Sequence, residues 1–77
     1  MAQIQTRPVV DKQRLILARI EAGYTPRELS RHIGRSETFI SGIEHGHRGV
    51  SPRALKDIAG ALGVKVADLL AETEKAA

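Results

Sequence analysis

Apolar residues recur along the chain at helical spacing, in short segments that are bounded by capping residues and glycines. The most regular segment begins at Ser51 and Pro52, an N-cap followed by a proline in the first helical position, and ends at Gly63. Its buried stripe follows the i, i+3, i+4, i+7 pattern and consists of Leu55, Ile58, Ala59 and Leu62. No alternation of polar and apolar residues indicates a strand, so the pattern predicts an all-α protein.

Residues 23–46 carry the same pattern in two shorter segments, which are joined by a tight turn at Gly34. The first segment begins with a capping box, in which Thr25 is the cap and Glu28 follows three residues later. For the second segment we expect Ser36 to be the N-cap. Its apolar side is formed by Phe39, Ile40 and Ile43. Because helices this short do not persist alone in water, both must pack against the rest of the chain.

Two further segments complete a predicted compact bundle of five helices. A first helix, capped by Asp11, runs to about Ala22 and has Leu15, Ala18 and Ala22 on one face. A short fifth helix is marked by Val66, Leu69 and Leu70. The predicted domain therefore spans residues 11–71, between a flexible N-terminal arm (residues 1–10) and a frayed C-terminal tail (residues 72–77).

Length and charge narrow the functional classes. Seventy-seven residues make one small domain, and without cysteine it has neither a disulfide nor a Cys-based zinc site. The net charge of +3 is uneven, because residues 1–56 hold ten Lys or Arg and five Asp or Glu, whereas residues 57–77 hold two Lys and four Asp or Glu. A basic N-terminal part indicates a surface that faces a polyanion. The sequence has no membrane-length apolar run and no signal-peptide pattern, so we expect a cytoplasmic, nucleoid-associated protein.

The arrangement of glycines and small residues resembles a known family. Residues 15–70 are similar to the lambda-repressor-like, Cro/C1-type helix-turn-helix domain. The resemblance rests on Gly23, Ser30, Gly34 and Ser36, on the run from Ile40 to Gly46 (ISGIEHG), and on the run from Ala59 to Val64 (AGALGV). It implies a five-helix bundle in which helices 2 and 3 form the helix-turn-helix, and it implies sequence-specific binding of double-stranded DNA, often as a dimer.

The resemblance also assigns the residues that would contact DNA. The positions for base readout, together with a neighbour on the exposed face of helix 3, are Glu37, Thr38, Ser41 and Gly42. They are poor in the Arg, Asn and Gln side chains that read bases with two hydrogen bonds. The candidate phosphate contacts come instead from basic side chains, histidine donors and residues at helix starts, and only for Arg53 does the resemblance add support; they are Thr25, Arg27, Arg35, Ser36, His45, Arg48 and Arg53. One departure is Pro26, which stands where the family often has a glutamine that contacts a phosphate and braces helix 3.

Two residues are implied to hold the DNA-reading helix rather than to touch DNA. The family often pairs an arginine of helix 1 with a glutamate at the end of helix 3, and here these residues are Arg19 and Glu44. We expect a buried ion pair between them, with the guanidinium and the carboxylate within about 4 Å of each other.

No constellation of catalytic or metal-binding residues is apparent. His45 and His47 have no third ligand nearby in sequence, and no nucleophile–base pair, paired carboxylate or glycine-rich phosphate loop is present. We therefore predict that the protein is not an enzyme and that it needs no metal, cofactor or small-molecule ligand.

Two functions from different classes remain open. The first is a small repressor of phage or plasmid type, either Cro-like or antitoxin-like, that occupies an operator. It would bind as a weak homodimer that assembles on DNA, through helix five and the turn at residues 63–66. The alternative is a protein-interaction module that has the helix-turn-helix fold but weak or no base readout.

Overall fold

The protein folds into four α-helices followed by one turn of 3-10 helix. The structure is a computed structural model that describes residues 9–71; the predicted tail and most of the predicted arm lie outside this range. The helices are α1 (Lys12–Glu21), α2 (Pro26–His32), α3 (Phe39–Glu44) and α4 (Pro52–Leu62), and the 3-10 turn is Val66–Leu69. Helices α2 and α3 form the helix-turn-helix. Within residues 9–71, β-pairing is limited to one isolated antiparallel bridge, and no helix has the length and apolar character needed to cross a bilayer.

The predicted fifth α-helix is a single 3-10 turn, so the five-helix count is wrong. Leu69 is fully buried in the core, but Leu70 leaves the helix in an extended conformation, with φ −92° and ψ 151°. In this conformation Leu70 forms the antiparallel bridge with Val10. Leu70 keeps the last hydrogen bond of the turn, from its N–H to the Ala67 carbonyl at 3.3 Å, and its extended backbone, paired with Val10, ends the helix after four residues.

Backbone hydrogen bonds hold the two ends of the described chain side by side. The Asp11 N–H donates to the Leu69 carbonyl at 2.9 Å, and the Ala71 N–H donates to the Val9 carbonyl, also at 2.9 Å. Val9 and Val10, predicted from the sequence to belong to the arm, are therefore paired with the C-terminal end of the described range.

Three of the four α-helices begin with the caps that the sequence predicts. The Asp11 carboxylate accepts from the Gln13 and Arg14 N–H groups, and the Ser51 hydroxyl accepts from the Ala54 N–H. Thr25 forms the complete capping box of α2. Each cap supplies an acceptor for N–H groups that have no partner inside the helix.

Helix α3 begins differently, and the prediction that Ser36 caps it is wrong. The helix starts at Phe39, and the residue at its N-cap position, Thr38, makes no side-chain cap. The Ile40 N–H instead donates to the Ser30 hydroxyl at 3.0 Å, and that hydroxyl donates to the Pro26 carbonyl at 2.8 Å. A fully buried serine of α2 thus supplies the acceptor that α3 lacks locally.

The turn between α2 and α3 depends on Gly34. Its φ of 76° is in the left-handed region, which favours glycine. The Gly34 N–H donates to the Arg31 carbonyl and the Arg35 N–H to the Ser30 carbonyl, the pair of bonds that defines a Schellman motif. The other α-helices end at glycines with similar φ values, Gly23, Gly46 and Gly63. These glycines end the four helices where the sequence predicts.

The core draws on every helix. Its buried apolar residues are Leu15, Leu29, Phe39, Ile40, Ile43, Val50, Ala54, Leu55, Ile58, Ala59, Leu62 and Leu69. Helix α4 buries the whole predicted stripe, whereas α1 buries only Leu15 completely. Ala22, predicted to lie on the buried face of α1, is exposed because the helix ends at Glu21 and the chain turns at Gly23.

Candidate nucleic-acid interface

The helix-turn-helix presents a short second helix. Helix α3 has six residues, and three of them, Phe39, Ile40 and Ile43, are buried in the core. Of the predicted readout residues, Glu37 and Thr38 lie in the exposed turn that precedes α3, and Ser41 and Gly42 lie on the helix itself and are half-buried. The candidate readout face is therefore divided between the turn at Glu37 and Thr38 and the six-residue helix α3.

Glu37 is paired with a predicted phosphate contact. Its carboxylate oxygen lies 3.0 Å from Nη2 of Arg27, and both side chains are more than half exposed. An exposed pair of this kind contributes only about 0–1 kcal/mol, so DNA phosphates could compete for Arg27. In the free protein, however, these two candidate DNA contacts neutralise each other.

Two further arginines flank the aromatic ring at the start of α3. The Cζ atoms of Arg35 and Arg48 lie 4.9 Å and 4.5 Å from the centroid of the Phe39 ring, within the range of a cation–π contact. Arg35 also lies 3.7 Å from a carboxylate oxygen of Asp57 on α4. Arg35 and Arg48 thus place positive charge beside α3.

The side chain of Arg48 also lies against α3 at Gly42. A Cβ atom added at Gly42 would be 3.2 Å from Cδ of Arg48, closer than ordinary van der Waals contact. The two residues belong to one surface depression, which is lined by Thr38, Ser41, Gly42, His45, His47 and Arg48. The structure therefore brings three predicted readout residues together with Arg48 and His45.

His45 has one ring nitrogen committed to the protein. Its Nδ1 lies 2.8 Å from the Ser41 carbonyl, which can only accept, so Nδ1 carries the hydrogen. A neutral imidazole then has only an acceptor at Nε2, and His45 can donate to a phosphate only when it is doubly protonated. Its ring stacks on His47 with centroids 5.9 Å apart. Across residues 9–71, no three His, Cys, Asp or Glu side chains are placed to hold a metal ion.

The remaining candidate phosphate contacts are dispersed. Thr25 is exposed and its hydroxyl accepts from the Glu28 N–H at 3.0 Å. Ser36 and Arg53 are exposed, and neither forms a side-chain hydrogen bond or ion pair with another described residue. No direct bond joins these three residues to the depression beside Gly42.

Arg19 and Glu44 form a two-pronged ion pair beneath this surface. Arg19 Nε donates to one carboxylate oxygen at 2.7 Å and Nη2 to the other at 3.1 Å. The side chains are only 11% and 7% exposed. The third donor, Nη1, reaches the Tyr24 carbonyl at 2.9 Å. One guanidinium thus connects α1, the end of α3 and the segment that leads into α2.

Two features of the site were not anticipated from the sequence. The first is the link between α2 and α3 through the Ser30 hydroxyl. The only feature of the sequence that could have indicated this link is a serine at a position where the related family usually has alanine. The second is the contact of the Arg48 side chain with Gly42. No neighbouring residue predicts this contact, because it depends on how the loop after α3 folds back.

Comparisons with known proteins identify the family and the fold. A search of curated proteins gives no match. Among solved structures, the chain is similar to a hypothetical transcription factor, NHTF, from Neisseria, with a TM-score of 0.70 and 25% identity, over 97% of this chain and 94% of that chain. The family model described as "Helix-turn-helix" matches residues 15–69, most of the chain. The protein therefore belongs to the helix-turn-helix family, of the Cro/C1 type.

Proposed function

We propose that the protein is a transcriptional regulator that binds double-stranded DNA sequence-specifically through α3 and the residues beside it. The observation that carries the proposal is the depression beside Gly42, where Thr38 and Ser41 adjoin an arginine that has no carboxylate partner among the described residues. Family membership and the similarity to a Neisseria protein described as a hypothetical transcription factor support the same class. The mechanism is binding, and no side chain is assigned a catalytic role.

The simplest mode of action is repression. A domain of this size would act as a Cro-like or antitoxin-like repressor that occupies its operator and excludes polymerase. We assign the phosphate contacts to the seven residues named from the sequence, with Arg27 and Arg35 released from their carboxylate partners on binding. Double-stranded DNA is the proposed partner, in a cytoplasmic, nucleoid-associated setting, and no cofactor or small-molecule ligand is proposed.

We place the homodimer contact at the C-terminal part of the domain. Lys65, Ala67 and Asp68 are exposed there, whereas Leu69 is buried in its own core. Because little apolar surface remains, the dimer should be weak and should assemble on DNA. Two recognition helices in such a dimer would lie about 34 Å apart, one turn of DNA.

The test is a gel shift with random-sequence DNA at two salt concentrations, followed by selection of bound sites. With about seven phosphates neutralised by a dimer, log K should fall against log salt with a slope near −6. Arg53→Ala should weaken binding to all sequences equally and reduce that slope. Selected sites should be palindromic, and sedimentation should show two protomers on a saturated operator. An absence of binding at low salt would rule the proposal out.

One observation favours the alternative, a protein-interaction module. Glu37, the residue best suited to read cytosine, is already paired with Arg27. If the full chain fails to bind DNA at low salt yet is folded, this second function takes precedence.

A further inference from the structure

We propose that Arg48, which lies in the loop after α3, is the principal base-reading residue of this domain and that it recognises guanine in the major groove. This inference rests on the proposed function. It assigns Arg48 a role in specificity, whereas the sequence indicated only a phosphate contact. Three observations carry it: the contact with Gly42, the contact with Phe39, and the absence of a carboxylate partner.

The first observation is that Arg48 occupies the place of a missing side chain on α3. Gly42 has no Cβ, and an added Cβ would be 3.2 Å from Cδ and 3.4 Å from Cγ of Arg48. The aliphatic stem of Arg48 therefore lies directly on the backbone of α3. Its guanidinium is presented from the same depression as Thr38 and Ser41, two predicted readout residues.

The second observation is that the guanidinium is already held in position. Its Cζ lies 4.5 Å from the centroid of the Phe39 ring, and Phe39 is itself only 5% exposed. An aromatic ring fixed in the core restricts the rotamers of the arginine above it. Less conformational entropy is then lost when Arg48 binds a base.

The third observation concerns charge. Three arginines flank α3, and two of them are paired with carboxylates: Arg27 with Glu37, and Arg35 with Asp57. Within the described residues Arg48 has no such partner, and its guanidinium contacts an aromatic ring instead. Arg48 can therefore engage DNA without first breaking an ion pair.

The chemistry of the guanidinium selects the base. Its planar fork of N–H donors matches the O6 and N7 acceptors of guanine, which lie side by side in the major groove. Adenine offers N7 but places a donor beside it, so the second hydrogen bond is lost. A contact of this type gives roughly tenfold to hundredfold discrimination between base pairs.

The experiment compares sites selected from a random DNA pool by the unaltered protein and by two matched variants, Arg48→Gln and Arg53→Gln, each of which removes one positive charge. We expect the unaltered protein to select a guanine that Arg48→Gln no longer selects, because glutamine lacks the guanidinium fork and pairs with adenine. Affinity of Arg48→Gln for the selected site should fall tenfold to hundredfold, whereas its loss of affinity for random DNA should match that of Arg53→Gln within about threefold. Arg53→Gln should keep the selected sequence, because a phosphate contact carries no sequence information.

A second pair of variants tests the placement of Arg48 without altering it. Gly42→Ala should displace Arg48 and reduce the preference for the same guanine at least fivefold, while the protein stays folded by circular dichroism. Gly60→Ala is the control, because a Cβ at this exposed glycine of α4 would meet nothing within 4 Å. Gly60→Ala should leave the preference unchanged.

The outcomes separate this inference from the proposed function. If the unaltered protein binds no DNA, the proposed function fails and the inference fails with it. If it binds DNA but Arg48→Gln selects the same sites with the same preference, Arg48 does not read the base and this inference alone is overturned. An unchanged preference in Gly42→Ala would also overturn it.

Discussion

At the scale of single residues, the buried Ser30 joins α2 to α3 through one hydroxyl group. The Ser30 hydroxyl is the acceptor for the Ile40 N–H and a donor to the Pro26 carbonyl. A buried N–H that loses its partner costs about 1–3 kcal/mol, more than the bond contributed when formed. Few other single atoms in the domain connect two helices of the DNA-binding unit.

Exchanging each of two serines for alanine would show which one supports the start of α3. Ser30→Ala should lower the free energy of unfolding by about 1–3 kcal/mol, because the Ile40 N–H would be left buried and unpaired. Ser36→Ala, at the residue that the sequence predicted as the N-cap of α3, should change the free energy of unfolding by less than about 0.5 kcal/mol, since Ser36 is exposed. Urea unfolding measures both. Equal effects would mean that Ser30 does not act as the remote cap.

At the scale of elements, the ion pair between Arg19 and Glu44 determines how α3 is held against α1. Replacing both residues by well-packed apolar side chains could be neutral, because desolvation offsets much of the attraction in a buried pair. Removing one partner leaves the other charge buried without compensation. The pair is thus better described as fixing the orientation of α3 than as a source of net stability.

Two arginines that are both paired with glutamate provide a matched comparison. Arg19→Ala should reduce the free energy of unfolding by about 3–5 kcal/mol, because its partner is buried. Arg27→Ala should reduce it by at most about 1 kcal/mol, because the pair with Glu37 is exposed. The total stability of so small a domain is about 5 kcal/mol, so Arg19→Ala should also abolish DNA binding by unfolding. Similar small losses in the two variants would contradict the proposed role of Arg19.

The elements that could be predicted from the sequence are those set by local interactions. The caps at Asp11, Thr25 and Ser51 involve residues two or three positions apart, and the glycine helix ends depend on a single φ angle. The start of α3 could not be predicted, because its acceptor comes from Ser30, ten residues earlier. The end of the 3-10 turn depends on a partner near the other end of the chain.

The candidate site also has features that could be predicted from the sequence and features that could not. Family resemblance was enough to select the residues around α3, including Arg48 and Gly42. It could not supply the path of the Arg48 side chain across Gly42, which depends on the position of the Phe39 ring in the folded core. Nor could it supply the pairing of Arg27 with Glu37 across the turn. Which side chains pair on this surface depends on the tertiary structure, that is, on how the helices and loops are arranged in the folded protein.

At the scale of the whole molecule, the pairing of residues 9–11 with 69–71 brings the start and the end of the described range together, so that a short connection would close them into a ring. The two ends of the described range are adjacent, with the Ala71 nitrogen 2.9 Å from the Val9 oxygen. A peptide bond between Met1 and Ala77 would close this ring through the fourteen residues outside the described range. Such closure need not disturb α3 or the depression beside Gly42.

Head-to-tail cyclisation should therefore remove more conformational entropy from the unfolded chain than from the folded one. The closed loop has 77 residues when unfolded and fourteen outside the described fold, and the difference in loop-closure entropy corresponds to a gain of about 1–2 kcal/mol. The linear chain is the control, and thermal unfolding of both forms measures the gain. A cyclic form no more stable than the linear one would show that the two ends do not stay together in solution. Stability gained in this way would come from topology, with no new contact, and the DNA-binding surface would be unchanged.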